Sequence, residues 1–316
     1  MARNKHGLDR SVGAAVRRVL RQEAGFGCVK CGFAIGDYHH IDPLFVDAKE
    51  HDPSRMAFLC KQCHGKFHGG FLSKEAILEA KANPKARQQG FSLEEFDFPS
   101  RAMKVHLGPM LFIDCENIIM VEGDPVIAVR SSPEAGEPLQ ISAKLVDVDG
   151  IVRLWIDDNI WKANVDNWDV EAAAGKIIFR DAHGDIRIAV SNRDRELNFE
   201  KLNINANGHH LQFDNESGFI MSTRWGEKYT FAESTFEKFK AGILLEGPIL
   251  ALGADPQPGA EAKVGSASFN KHISSNEQMN DIFQRKLEYY GISGVAGIDF
   301  GGKKPSTFTQ AIFIAN

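Results

Sequence analysis

The chain has 316 residues, a mean hydropathy of −0.25 and a formal net charge of −5. Two domains are expected at that length, and 43% hydrophobic with 25% charged residues excludes a disordered chain in favour of a globular one. No apolar run approaches the ~18–20 residues of a membrane span, and MARNKHGLDRSVGAAVRRVL lacks an apolar signal core; a cytoplasmic, reducing setting without membrane attachment is therefore expected.

The charge is unevenly spread. Residues 1–90 hold 15 Lys and Arg against 9 Asp and Glu, a net of +6, and residues 91–316 hold 22 against 33, a net of −11. A basic segment suits a phosphate-binding partner such as DNA, and the acidic remainder would repel one.

In chain order, residues 10–22 space Val12, Ala15, Val16, Val19 and Leu20 along one helix face and Arg10, Arg17, Arg18 and Arg21 along the other. Such a face is ordinarily just solvated. Beside a metal-binding segment, Arg17, Arg18 and Arg21 become candidate phosphate contacts, as does Lys66 further on. Gly25-Phe26-Gly27 breaks the helix and leads into Cys28-x-x-Cys31, a knuckle-like turn. Residues 37–46 read as a short strand interrupted at Pro43, and Met56–Leu59 as an apolar approach to Cys60-x-x-Cys63. The pattern then turns helical, which puts His64 and His68 on one face until Gly69-Gly70 stops the helix. Ser73 is placed to cap another helix, Lys74 to Ala82, halted by Pro84.

Residues 83–104 mix Pro, Gly and charge without clean periodicity and read as a linker. From 105 to 250 short apolar runs alternate with Gly, Asp, Asn and Pro turns: Leu111–Ile113, Ile118–Val121, Val126–Val129, Ile141–Val148, Val152–Ile156, Ile177–Phe179, Ile186–Val190, Leu202–Ile204 and Leu211–Phe213. Turns every ~8–12 residues imply a sandwich, barrel or solenoid-like β domain. Residues 251–316 form an extension, loop-like from about 253, with one helix candidate at Glu277–Tyr290. Trp155, Trp161 and Trp168 suggest a stacking platform at first sight, but their neighbours Asp157, Asp158, Asp166 and Asp169 favour core and loop packing. Cys115 reads as a buried core thiol, and His106, His183, His209, His210 and His272 have no ligand-like partner at useful spacing.

The chemistry is concentrated in residues 28–68, which carry four of the five cysteines and five of the eleven histidines. Two Cys-x-x-Cys pairs in a reducing compartment point to zinc, with Cys28, Cys31, Cys60 and Cys63 completing a tetrahedron of thiolates. Because these saturate one structural Zn²⁺, the histidines are left for a second purpose. His51, in an acidic loop with Asp47, Glu50 and Asp52, reads as solvated rather than as a ligand.

The approach RRVLRQEAGFGCVKCG, the core HHIDP and the closing LCKQCHGKFH together resemble the HNH endonuclease family, over roughly residues 10–80. That resemblance implies an α+β chain: an N-terminal ββα-metal domain over residues 1–82, supported by the zinc site, ahead of the β-rich domain. It implies His39 as a ligand of a catalytic divalent ion (Mg²⁺, Mn²⁺, Ni²⁺ or Zn²⁺), His40 as the general base, and His68 as a second ligand. His64 would be a further ligand or a phosphate-polarising neighbour. In one respect the sequence departs from the family: Arg55 stands where its middle Asn would be, and could instead bind the scissile phosphate. His40 would then be oriented by a backbone carbonyl, by Asp47 or by His51.

The expectation is a metal-dependent endonuclease that hydrolyses DNA. Its β-rich part would sense a small molecule or protein trigger, or assemble the chain into homo-oligomers, as would suit a bacterial defence effector. The alternative is a catalytically inactive, zinc-dependent nucleic-acid-binding or assembly protein.

Overall fold

The computed structural model describes residues 3–96, 104–130, 139–193, 196–214, 218–247, 249–263, 267–270 and 312–314. Helix α1 (Ala14–Ala24) is followed by strand β1 (Gly36–His40), a 3-10 turn (Pro53–Arg55), β2 (Met56–Cys60), α2 (Lys61–His68), α3 (Lys74–Ala82), α4 (Lys85–Gln89) and β3 (Phe91–Glu95). Strands then dominate: β4 (Lys104–Leu107), β5 (Met110–Ile113), β6 (Asn117–Val121), β7 (Asp124–Arg130), β8 (Gln140–Val146), β9 (Val152–Asp157) and β10 (Ile160–Asn164). After these come β11 (Asp169–Ala173), β12 (Lys176–Ala182), β13 (Asp185–Arg193), β14 (Glu196–Ala206), β15 (His209–Asp214) and β16 (Gly218–Ser222). The last are β17 (Lys228–Phe231), β18 (Ser234–Glu246), β19 (Ile249–Lys263), β20 (Ala267–Asn270) and β21 (Ile312–Ile314). The chain is thus mixed α+β and strand-rich. Among the described residues no helix is long and apolar enough to cross a membrane.

The chain divides into two units, one of residues 1–96 with 160–189 and one of residues 97–159 with 190–316. In the first, α1 ends where Gly25 adopts a left-handed φ of 68° and its N–H bonds back to the helix carbonyls. β1 and β2 pair antiparallel, with His39 opposite Ala57 and His40 opposite Met56. α2 starts directly at Lys61, and the Ser73 hydroxyl caps α3 by accepting from the Ala76 N–H at 3.1 Å. Beneath them lies an apolar core of Ala24, Val29, Ile41, Phe58, Leu59 and Ile77, continuous with the buried cysteines.

Two readings from sequence change here. The stretch taken as a linker carries α4 and β3, and β3 pairs antiparallel with β10, Leu93 opposite Lys162. Its strand partner lies some 70 residues away, so local periodicity could not announce it. Residues 160–189 accordingly belong with the N-terminal segment, although the sequence places them inside a 105–250 domain.

In the second unit the strands bury alternate residues, as in β14, where Leu197 and Phe199, and after one extra residue Leu202, Ile204 and Ala206, are buried. Its pairings close on themselves: β4 with β5, β5 and β6 with β18, β6 with β7, β7 with β8, β8 with β14, and β14 back to β4. That circuit is the β-barrel among the three β architectures expected. The segment from 253, expected as loop, continues β19, which runs to Lys263 along β18. Its prolines hid it. Among the described residues strand β21 pairs β19 at Leu250–Leu252, and Pro256 and Pro258 lie past that stretch, where a missing N–H is tolerated at a strand edge. The helix candidate at 277–290 and His272 lie outside the described residues.

Candidate metal centre

Gly32, at φ 84°, closes the first cysteine turn and donates its N–H to the Cys28 carbonyl at 2.8 Å. β2 and the first turn of α2 deliver Cys60 and Cys63, and the Cys63 N–H points at the Cys60 sulfur, 3.4 Å away. All four Sγ atoms lie within 4.8 Å of one another, with Cys31 at 3.5 Å from Cys60 and 3.8 Å from Cys63. A tetrahedron with Zn–S bonds of ~2.3 Å has S···S edges of about 3.8 Å, so the donor set fits zinc. Cys28, Cys60 and Cys63 are buried, as in a closed structural site. A hydrogen bond from Cys31, opposed by burial, holds the Cys28 thiol down to about 5, and the same bond pushes Cys31 upward. Burial likewise raises Cys63, to about 12, with the nearness of Cys28 and Cys60 adding to it. A bound cation would let all four sulfurs ligate as thiolates at this spacing.

The histidines divide by strand face. His39 turns toward α2, where its ring meets His64 at 5.0 Å, His68 at 5.7 Å and Phe67 at 4.5 Å between centroids. One nitrogen from each of His39, His64 and His68 falls within 4.8 Å of the others. The His64 and His68 Nε2 atoms are 3.2 Å apart, close to the ~3.3 Å edge implied by Zn–N bonds of ~2.05 Å. His39 Nε2 is buried with no hydrogen-bond partner, an orphaned polar atom that a metal would satisfy. Burial, reinforced by the charges His64 and His68 would carry, pushes His39 down to about 4. Burial first, then His68, lowers His64 as well. Neutral imidazoles are the form that ligates. From buried His39 through half-buried His64 to exposed His68 the cluster opens to solvent, unlike the cysteine site. Asp37 Oδ2 stands 3.9 Å from His64 Nδ1 and accepts from Lys61 Nζ at 2.7 Å.

His40 occupies the opposite face of β1 and is 6% exposed. Its Nε2 meets His51 Nδ1 at 3.2 Å, while His51 Nε2 lies 2.9 Å from the Asp9 carbonyl. Burial, and then His51, lowers the His40 pKa, with a backbone hydrogen bond to Glu50 opposing them. His51, read from sequence as solvated, is therefore tied into the structure. Its partner is contributed by the chain ahead of α1, a connection that local charge does not show.

The remaining candidates separate. Arg55 sits at the end of the 3-10 turn with its side chain 63% exposed, 3.6 Å from Asp52. Lys66 is exposed on α2. Arg17 and Arg18 are half-buried, and Arg18 lies over the Trp168 ring at 4.7 Å. Arg21 does not belong on a solvent face: it is 4% exposed and grips Asp169 through two bonds of 3.0 and 2.7 Å, with Tyr38 Oη accepting at 2.7 Å. The helical wheel put it among the free arginines because nothing nearby in sequence reveals Asp169. Trp161 is buried as expected, and Cys115 is a buried thiol at 4% exposure. His106 pairs with Glu196 at 2.8 Å and His210 with Asn203 at 2.7 Å. Compared with protein-family models, curated proteins and solved structures, the chain finds no match.

Proposed function

We propose that the chain is a metal-dependent endonuclease that hydrolyses DNA phosphodiester bonds with residues of the N-terminal segment. What carries this reading is the convergence of three imidazole nitrogens, from His39, His64 and His68, within 4.8 Å beside a separate four-cysteine site. A closed sulfur site and an open nitrogen site differ as structural and catalytic metals differ. Bound there, a divalent ion would supply Lewis acidity for the scissile phosphate and the departing oxygen.

The other steps fall to the chain. Burial keeps His39 and His64 toward the neutral form, and with His68 they converge before any ion arrives, so little reorganisation is needed. His40 is the proton acceptor. With Nε2 facing His51, the Glu50 carbonyl takes the proton of its other nitrogen, leaving a lone pair on Nε2. His51 donates from Nε2 to the Asp9 carbonyl, so its Nδ1 also presents a lone pair, and the two facing nitrogens attract only when one proton lies between them. A proton taken from water by His40 is then shared between the two rings. The ββα-metal arrangement of the resembled family supports this division of labour, and the β1–β2–α2 order is compatible with it.

The test is cleavage of supercoiled plasmid with Mg²⁺, Mn²⁺, Ni²⁺ or Zn²⁺. Wild type is expected to nick it, and His40→Ala to lower the rate by about 10²–10⁴. If the two leave the plasmid equally intact with every ion, the nuclease reading fails.

A further inference from the structure

Beside α1 the first unit has a half-open cavity of about 240 Å³, lined by that helix and by residues 168–184. Four guanidinium groups line it, from Arg17, Arg18, Arg21 and Arg180, against two carboxylates, Asp169 and Glu171. Both carboxylates are engaged. Asp169 accepts from Arg21 and, at 3.1 Å, from Arg180, and Glu171 accepts from Arg180 at 3.2 Å. Two positive charges are left over before His183, which also lines the wall, is counted.

The surplus has an address. Arg17 reaches Glu171 only at 3.8 Å, and its Nε is buried without a hydrogen-bond partner. That Nε is closed to solvent, so an acceptor in the cavity would meet Arg17 at its terminal N–H groups, on a side chain that is 40% exposed. Arg18 stacks on Trp168 at 4.7 Å, which fixes its plane and leaves its N–H edges for an acceptor. Ala14, the first residue of α1, is also on the wall, and that helix starts without a side-chain cap or an acidic residue in its first turn. The positive helix end therefore adds to the same field.

We propose that this cavity binds the phosphomonoester group of a nucleotide, with Arg17 and Arg18 as its direct partners and the Arg21–Asp169–Arg180 cluster as a fixed floor. A phosphomonoester is close to dianionic at neutral pH, which matches a surplus of two, whereas an internal phosphodiester carries one charge. Guanidinium forks suit phosphate oxygens. The space exceeds what bare phosphate needs and admits an attached sugar. This inference uses neither metal site and stands whether or not the chain cleaves DNA. The phosphomonoester can come from a free mononucleotide or from the phosphorylated end of a strand.

Calorimetric titration of the full-length, zinc-loaded protein at near-physiological ionic strength tests it. The probes are AMP, adenosine, and one short single-stranded DNA with and without a 5′-phosphate. Phosphorylated probes are expected to bind, and their dephosphorylated counterparts to bind about tenfold more weakly or not at all. Arg17→Gln and Arg18→Gln, made separately, should each weaken binding about tenfold, and Lys144→Gln, an exposed position on β8, should leave it unchanged. Binding of AMP identifies free nucleotide as a source, and binding of the phosphorylated strand alone identifies strand ends; either upholds the cavity. Should a glutamine variant not fold, Arg17→Lys and Arg18→Lys take its place, with weaker binding again expected, because a point charge does not reproduce the fork. The proposal is overturned if no phosphorylated probe binds, if removing the phosphate leaves affinity unchanged, or if the folded arginine variants bind like wild type.

Discussion

Arg21 keeps a full charge at a position almost closed to water, and Asp169, 148 residues further along, is what makes that tolerable. Burial opposes its charge, but the bonds to Asp169 and Tyr38 win, so its pKa is raised rather than lowered. Asp169→Ala would strand the guanidinium, and a loss of about 3–5 kcal/mol is expected in urea unfolding. Replacing both residues by apolar ones of similar volume should recover much of it. In the second unit, His209 is fully buried, 3.5 Å from Glu122 and edge-on to Trp225. Burial, and then Arg224, lowers its pKa against the opposing pull of Glu122. Its folded value lies below the unfolded one, so its contribution to stability is complete above ~6.5 and is lost as pH falls from there toward the folded value. Unfolding followed through Trp225 should show falling stability below neutral pH, with a flatter profile in His209→Gln. A His209 imidazole signal titrating at or above the ordinary value would contradict this.

At the scale of elements, α3 shows how far sequence carries when the signals are local. Ser73 as cap and Pro84 as stop bracket the helix, and Ser73→Ala should cost about 1 kcal/mol in thermal or urea unfolding. The cysteine turns and the His64–His68 face were legible for the same reason: ligand spacing is short and set by the element carrying it. What stayed hidden depends on distant partners. β3 is a strand because β10 pairs with it, β19 because β18 does, and His40 lies against His51, itself anchored on Asp9. Charge and periodicity within a window cannot report such pairings. The two candidate metal clusters also separate by variant. Cys28→Ser or Cys63→Ser should release one zinc and unfold the β1–β2–α2 region, since a structural site contributes on the order of 10 kcal/mol. His39→Ala should keep that zinc and the circular dichroism spectrum while losing cleavage; loss of the cysteine-bound zinc in His39→Ala would sink the two-site assignment.

For the whole molecule, the first unit is discontinuous: its residues 1–96 and 160–189 are separated by 63 residues of the second. A fragment of residues 1–96 would keep every cysteine and histidine of both clusters. It would lose Asp169 from Arg21 and β10 from β3, leaving a buried charge and a bare strand edge. Such a fragment is expected to aggregate or to hold zinc weakly in a competition assay with a chelating dye, while the full chain holds it firmly.

The same discontinuity sets a clock. At the ribosome's pace of roughly 5–20 residues per second, the interval between residue 96 and residue 189 is on the order of ten seconds. For most of it the nascent chain carries both candidate metal clusters without Asp169, the partner of Arg21. The first unit can therefore close only once residues 160–189 have been made, and until then Arg21, bonded to Tyr38 on the strand that carries His39 and His40, waits for its carboxylate.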